Sequence, residues 1–439
     1  VKRGEKLKID NFIFMVIDKI RQIWKITDLR NSILFVLGML VIFRLTAHIP
    51  IPGVDIENLR NFFKSNQIFG LMNIFTGGTM ENFSVVTLGV APYITASIIF
   101  QLLVMIIPRL EELSKEGEYG RQKINQYTRI LTVPLALLQS YGTIIILRQS
   151  SKTIVTSTSP FSLFLMMLTM TAGTVFLMWI GELISEKKIG NGISLLIFAG
   201  IVSRLPTSLS QAFVSFDRAQ LINWIIYAIL AVVVIAGVVV VTEGQRNVPV
   251  TYAKRVRGMR MYGGSATHLP IRVNMAGVIP IIFAISIILF PPMLAQFFVG
   301  AQTSFIAAAA KWVITAFQNR IFYGVLYFTM VVFFTYFYTA VIFHPEQIAE
   351  NLQKQGGFIP GIRPGRHTAE YLHNTTNRVI FVGALFLGAI AVLPLLVQEF
   401  MGTRALVIGG TSLLIVVSVV IETLKQVQSQ LTMREYEGL

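Results

Sequence analysis

Ten apolar windows govern what this chain can become. They run Ile33–Ile49, Val86–Ile107, Ile130–Leu147, Phe161–Ile180, Gly192–Leu205, Leu221–Val241, Met275–Phe298, Ile321–Phe343, Val379–Val397 and Ile408–Leu424. About 20 apolar residues carry a helix across the hydrocarbon core of a bilayer. Inside lipid every backbone N–H and C=O must be paired, so a spanning segment is a helix or a strand of a closed barrel. Long apolar runs, in place of short alternating strands, select the helix. The fifth window is the shortest and is interrupted by Gly200. Only 13% of the residues are charged and 54% are hydrophobic, against about 25% charged in a soluble domain. An all-α integral membrane protein with ten transmembrane helices is expected.

The basic residues orient the spans. Of the 37 lysines and arginines, about three in four fall in the N-terminal tail and in the segments after spans 2, 4, 6, 8 and 10. The rest lie after the odd spans, apart from Arg44, which sits within span 1 near its outer end and can snorkel. Short positively charged loops stay in the cytoplasm, so both termini are expected there, in a cytoplasmic membrane. Losing or adding one span would scramble the alternation. The first thirty or so residues are polar and charged, which predicts no cleavable leader. The expected divisions are a cytoplasmic tail over 1–28, an N-terminal half over 29–205, a C-terminal half over 206–424 and a cytoplasmic tail over 425–439. Each half holds five spans. Five is odd, so related halves would form an inverted repeat.

Two expected cytoplasmic loops, 243–274 and 344–378, are each about thirty residues long, whereas helix–helix connections usually take about 2–8. The first contains "VPVTYAKRV" and "RMYGG", an alternation that predicts a β-hairpin. It carries Lys254, Arg255, Arg257 and Arg260. The second contains "IPGIRPG", whose two prolines and two glycines pin Arg363 at a loop tip beside Arg366. Clustered lysine and arginine bind phosphate backbones, anionic headgroups and acidic protein surfaces.

Several chemistries have no candidate residues. The chain has no cysteine, which excludes disulfides and thiolate metal sites. It contains no HExxH, no GxxxxGK[ST], no GxSxG and no paired membrane aspartates. An intramembrane hydrolase would therefore lack a nucleophile and base. His48, His268, His344, His367 and His373 fall in loops or at span ends. No metal site, cofactor or catalytic residue is assigned. No acidic residue occupies a span centre, where a charge costs about 2.5–3.5 kcal/mol and is kept by pumps that use it. That argues against an ion-coupled carrier. A carrier of a small neutral or lipid-like solute stays open on these grounds.

One segment fits neither span nor loop. "IFGLMNIFTGGTMENFSVVTLG", from Ile68 to Gly89, precedes span 2. Its first half could make about two helical turns, too few to cross a bilayer, and Gly77-Gly78 breaks it. Polar and small groups collect at Thr95, Ser97 and Gln101 in span 2, at Asn274 and Ser286 around span 7, and at Gly409–Ser412 opening span 10. Pro92 sits early in span 2, and Pro280 with Pro291-Pro292 punctuates span 7. Proline in a membrane helix removes a backbone bond and permits a kink, so these two spans are the natural candidates for movement.

At "TLGVAPYITASIIFQLL" (Thr87–Leu103) the chain resembles the SecY family of protein-conducting channels. Further blocks agree in the same order: "KEGEYGRQKINQYTR" (Lys115–Arg129), "GNGISLLIFAGIVSRLP" (Gly190–Pro206), "SATHLPIRVNMAGVIPIIFA" (Ser265–Ala284), "GGFIPGIRPG" (Gly356–Gly365) and "GGTSLLIVVSVV" (Gly409–Val420). The likeness runs from about Asp28 to the C-terminus. It does not cover the first 27 residues or the stretch 300–319.

The resemblance implies a clamshell of two five-helix halves around an hourglass pore, with a short re-entrant plug helix. It implies a constriction at Val90, Ile94, Ile193, Ile197, Ile282 and Ile415, with Val90 slightly smaller than the isoleucine common there. A narrow aliphatic collar dewets and so bars ions. The plug maps to about 68–79, with Ile68, Leu71, Met72 and Phe75 packing under the collar and Gly77, Gly78 and the polar "TMEN" letting it swing. The lateral gate, between spans 2–3 and 7–8, takes in Thr95, Gln101, Asn274 and Phe290. A Gln101–Asn274 hydrogen bond would staple it shut, worth about 0.6–2 kcal/mol. The implied partners are the SecE and SecG subunits, the motor ATPase SecA, the ribosome, signal peptides with their nascent polypeptides, and membrane lipids. The implied function is a non-enzymatic, central channel subunit that passes unfolded preproteins across the membrane and releases membrane proteins sideways into it.

Overall fold

The structure is a computed structural model. It describes residues 21, 23–59, 79, 80, 82–149, 154, 155, 159–214, 221–252, 255–257, 260–262, 266–300, 303–401 and 410–437. Each of the ten apolar windows contains a helix over most of its described residues. In chain order the helices are α1 (Thr27–Thr46), α2 (Ala91–Ile106), α3 (Pro108–Lys115), α4 (Glu118–Gln149), α5 (Pro160–Glu186), α6 (Gly192–Val214) and α7 (Leu221–Glu243), then α8 (Ile279–Phe298), α9 (Ser304–Gln318), α10 (Arg320–Ile342), α11 (Pro345–Lys354), α12 (Arg366–Met401) and α13 (Gly410–Glu437). By length and composition 7 helices among the described residues can cross a membrane alone, or up to 8 if α2 and α3 form one broken span. The windows on α6 and α8 coincide with shorter apolar stretches, Gly192–Thr207 and Ile279–Ala295.

Helix lengths separate membrane from water. α4 has 32 residues and α12 has 36, about 48 and 54 Å at 1.5 Å per residue, well beyond a hydrocarbon core of about 30 Å. Their polar first turns therefore project out of the membrane. α2 and α3 meet at 101°. Pro108 causes the bend: it disfavours helical geometry at the residue before it, and Ile107 is extended, with φ −100° and ψ 111°.

The described residues group into two compact units, Val1–Arg204 with Val419–Leu439, and Leu205–Ser418. In the first, α4 packs on α2 and α5. A buried cluster joins the segments outside these helices: Ile51, Leu59, Met80, Phe83, Leu88, Ile154 and Val155 pack on Ala136, Ile144, Leu147, Met166 and Met170 of α4 and α5. Backbone bonds stitch it, with Ile51 N–H donating to Phe83 O (2.9 Å), Val85 N–H to Ile49 O (3.0 Å) and Asp55 N–H to Ile154 O (2.8 Å).

In the second unit α10 packs on α8 and α12. Phe283 of α8 meets Phe334 and Tyr338 of α10 edge to face, at 6.0 and 5.8 Å between ring centroids. The two long loops form one sheet. β1 (Gln245–Tyr252) pairs antiparallel with β4 (Ala266–Arg272) on one side and with β5 (Gly357–Phe358) on the other. β2 (Arg255–Arg257) and β3 (Arg260–Tyr262) form a separate ribbon. The expected hairpin is present, and the second loop supplies its third strand. Val248, Val250 and Ile271 bury against Ile359 and Leu372, each such side chain contributing about 1.5–3 kcal/mol.

Candidate functional site

Two helices that carry constriction candidates start in the same way. Ahead of α2 the chain reads Gly89-Val90-Ala91-Pro92; ahead of α8 it reads Gly277-Val278-Ile279-Pro280. The glycines hold φ 59° and 62°, in the left-handed region that only glycine enters without steric cost. The valines follow at φ −95°, ψ 4° and φ −93°, ψ −9°. Each proline then occupies the first helical turn, where its missing N–H would have had no partner. Four residues past each valine stands an isoleucine. Ile94 N–H donates to Val90 O (3.0 Å) and Ile282 N–H to Val278 O (3.2 Å). Spans 2 and 7 have opposite parity, as an inverted repeat requires. The repeat of Gly-Val-x-Pro-x-Ile is written in the sequence itself, at 89–94 and 277–282.

The other candidates also sit early in their helices. Ile193 and Ile197 lie in the first two turns of α6, whose start is capped by Asn191 Oδ1, accepting from the N–H groups of Ile193 (3.1 Å) and Ser194 (3.2 Å). Ile415 is in the second turn of α13. Val90, Ile94, Ile197, Ile282 and Ile415 are buried, and Ile193 is half-buried. Ile193 lays its Cδ1 against Gly181 of α5, within 2.6 Å of where a Cβ there would stand.

The expected plug residues Ile68, Leu71, Met72, Phe75, Gly77 and Gly78 lie outside the described residues. Of the "TMEN" that follows them, Thr79 and Met80 are each 1% exposed and Glu81 lies outside the described residues. Residues 79, 80 and 82–89 form a tightly wound, mostly buried series of turns. Ser84 N–H donates to Thr79 O (3.2 Å), Thr79 Oγ1 to Thr87 O (3.3 Å), and Thr87 Oγ1 to Ser84 O. Phe83 is 1% exposed and takes φ 42°, a conformation that costs a residue with a Cβ about 1–3 kcal/mol. Its burial and the hydroxyl bonds hold it there. Gly173 of α5 lies against this turn, where an added Cβ would stand 2.0 Å from Val85 O.

The gate candidates are placed as follows. Thr95 Oγ1 donates to Ala91 O of its own helix (3.0 Å). Gln101 Nε2 donates to Ser97 Oγ (3.2 Å), leaving Oε1 buried without a partner. Asn274 is buried with neither side-chain atom hydrogen-bonded. Gln101 belongs to the first compact unit and Asn274 to the second. Phe290 is half-buried on α8.

Of the docking candidates, Lys254 lies outside the described residues. Register sets Arg257 opposite Arg260 and Arg255 opposite Tyr262 on the β2–β3 ribbon. Arg363 is exposed between Gly361 (φ 83°) and Gly365 (φ 93°), and its carbonyl accepts from Thr368 Oγ1 (2.9 Å). Arg366 is exposed and pairs with Glu370 at 3.1 Å.

Sequence reasoning did not find one ion pair in the first unit. Arg129 Nε meets Glu182 Oε1 at 2.6 Å, tying the start of α4 to the end of α5. Nearby, Gln430 Nε2 of α13 donates to Lys188 O (2.7 Å). Residues 53 and 242 positions apart leave no local signal for such contacts.

The family pattern described as SecY matches residues 84–424. The chain is 45% identical to a protein translocase subunit SecY of Corynebacterium glutamicum, over 95% of this chain and 98% of that one. It is also 45% identical to that of Streptomyces coelicolor, over 94% and 98%. Three solved structures share the fold: a protein-conducting channel (TM-score 0.62, 20% identity, 90% of this chain and 91% of that one), a SecY whose plug domain stabilises the closed state and maintains a membrane seal (0.61, 19%, 90% and 91%), and a Sec61 from a canine ribosome–channel complex (0.57, 19%, 90% and 91%).

Proposed function

The chain belongs to the SecY family of protein translocase subunits, and from that premise we propose how it conducts polypeptides. It is a multi-pass membrane protein and the central subunit of a protein-conducting channel. The solute-carrier reading falls with that membership. In the mechanism we favour, Val90, Ile94, Ile193, Ile197, Ile282 and Ile415 form a dry collar. Aliphatic side chains shed water and bar ions, yet they close around an extended chain without selecting any one side chain. The segment of about 68–79 is the plug, tethered at the buried residues that lead into α2. Spans 2 and 7 part to let an apolar signal helix enter lipid, beside Thr95, Gln101, Asn274 and Phe290.

The basic loops dock partners. Lys254, Arg255, Arg257, Arg260, Arg363 and Arg366 face the cytoplasm in this reading, where ribosomal RNA and acidic faces of a motor ATPase such as SecA would bind them. SecE and SecG complete the assembly in the cytoplasmic membrane, with both termini of this chain on the cytoplasmic side. The chain itself works without catalysis, and the partner supplies the energy.

One observation carries the mechanism. The paired Gly-Val-x-Pro starts support it, because Ile94 and Ile282 are both buried one turn past the valine of such a start. The test uses the cysteine-free background. Single cysteines at Ile94 and Ile415 should crosslink to a polypeptide stalled during translocation, whereas one at the lipid-exposed Ile229 should not. Equal crosslinking at all three, or at none, refutes the collar.

A further inference from the structure

α9 (Ser304–Gln318) occupies a stretch that lies between two spans and that the sequence reading left without a role. Its residues sort into three stripes. Ser304, Lys311, Thr315 and Gln318, at spacings of 7, 4 and 3, form an exposed polar stripe. Ala307, Ala310, Ile314 and Phe317 are buried or half-buried and face the protein, where α9 packs against α8 and α10. Phe317 meets Phe322 of α10 edge to face at 5.6 Å. The third stripe is apolar and uncovered: Phe305 is 80% exposed and Trp312, seven residues on, is 71% exposed.

Connectivity tells what covers that stripe. Only residues 299–303 separate α9 from α8, and only Asn319 separates it from α10. Asn319 Oδ1 caps α10 by accepting from Ile321 N–H (3.0 Å) and Phe322 N–H (3.2 Å). Both ends of α9 are thus tied to the ends of helices read as spans 7 and 8. They lie at the end of α8 opposite the β-sheet, since β4 precedes α8. A helix held there cannot leave the membrane surface. Amphipathic helices at such interfaces bury their apolar side about 5–10 Å deep, and tryptophan concentrates at headgroup level.

We propose that α9 is an interfacial lipid-binding helix. Phe305 and Trp312 sit at the boundary between headgroups and acyl chains of the leaflet away from the β-sheet, and Lys311 meets the headgroup phosphates. The helix thereby braces the far ends of α8 and α10 against lipid.

The full chain is reconstituted in vesicles with Trp24, Trp179 and Trp224 replaced by phenylalanine, leaving Trp312 as the sole tryptophan. Its emission should be blue-shifted. Lipids brominated near the headgroup should quench most of it, and lipids brominated at the chain end should quench less. Red-shifted emission open to aqueous quenchers overturns the proposal. So does a blue-shifted signal that no brominated lipid touches, which means that protein covers the stripe. Should the triple variant misfold, the difference in emission between the parent chain and Trp312→Phe in the same lipids reports the same quantity.

Discussion

The feet of α2 and α8 have the same local geometry and rest on different foundations. Each helix begins with a left-handed glycine, a valine and a proline, and each places an isoleucine one turn in. Under α2 the foundation is a turn closed by hydroxyl-to-carbonyl bonds and packed into α4 and α5. Under α8 it is a three-stranded sheet packed on the start of α12. A local device for starting a helix at a set depth has been kept in both halves. What supports it differs, and in the function proposed above one foundation tethers the plug and the other is a docking platform.

Breaking the first foundation should have the largest effect. Phe83→Ala removes a fully buried ring, and such truncations cost about 3–5 kcal/mol. Thermal unfolding in detergent should shift strongly downward, and resting ion conductance in planar bilayers should rise. Deleting 68–78, which stops short of the buried turn, should raise conductance with little change in unfolding. If both variants unfold alike, the turn is not the separate anchor described above.

The second foundation should fail differently. Ile271→Ala opens the core under β4 and should cost about 2–5 kcal/mol. Limited proteolysis should then cut within 243–274 and export should fall, while the ion seal holds. A leak equal to that of Phe83→Ala would erase the distinction between the two feet.

Gly89→Ala and Gly277→Ala sharpen what the feet share. Forcing a Cβ into the left-handed region costs about 1–3 kcal/mol. Nothing lies within 4 Å of a Cβ at Gly277, so the strain there is purely conformational. Similar losses of stability at both positions are expected. A loss at one alone would mean that only that glycine is needed for its backbone.

The smallest effect on stability belongs to Arg363→Glu. The side chain is exposed on a turn set by its glycine neighbours, and exposed substitutions usually stay within about 0.5 kcal/mol. Partner-driven export should nonetheless fall, with the melting profile unchanged. Normal export would remove Arg363 from the docking surface.

Much of this was legible in one dimension. Hydropathy marks a span because lipid tolerates no unpaired backbone, and each of the ten windows contains a helix. The charge pattern and the turn chemistry around Arg363 are local for the same reason. The resemblance placed the constriction candidates, and the paired Gly-Val-x-Pro starts were there to be read. The unmet hydrogen-bonding capacity of Gln101 Oε1 and of the buried Asn274 side chain was not legible, because polarity at a position does not say which atoms it meets. Nor was the burial of Thr79 and Met80, since a polar stretch reads as surface until Thr79, Ser84 and Thr87 are seen to bond one another.

The sequence alone determined where the apolar helices fall, and that α2 and α8 begin with the same four-residue device. Those properties follow from the solubility and allowed dihedrals of single residues and their near neighbours. Only the tertiary structure decided that the two long loops share one sheet, that Arg129 pairs with Glu182, and that Phe305 and Trp312 of α9 are left largely exposed among the described residues. These depend on which distant surfaces meet, and a contact across 53 or more positions leaves no periodicity in the chain.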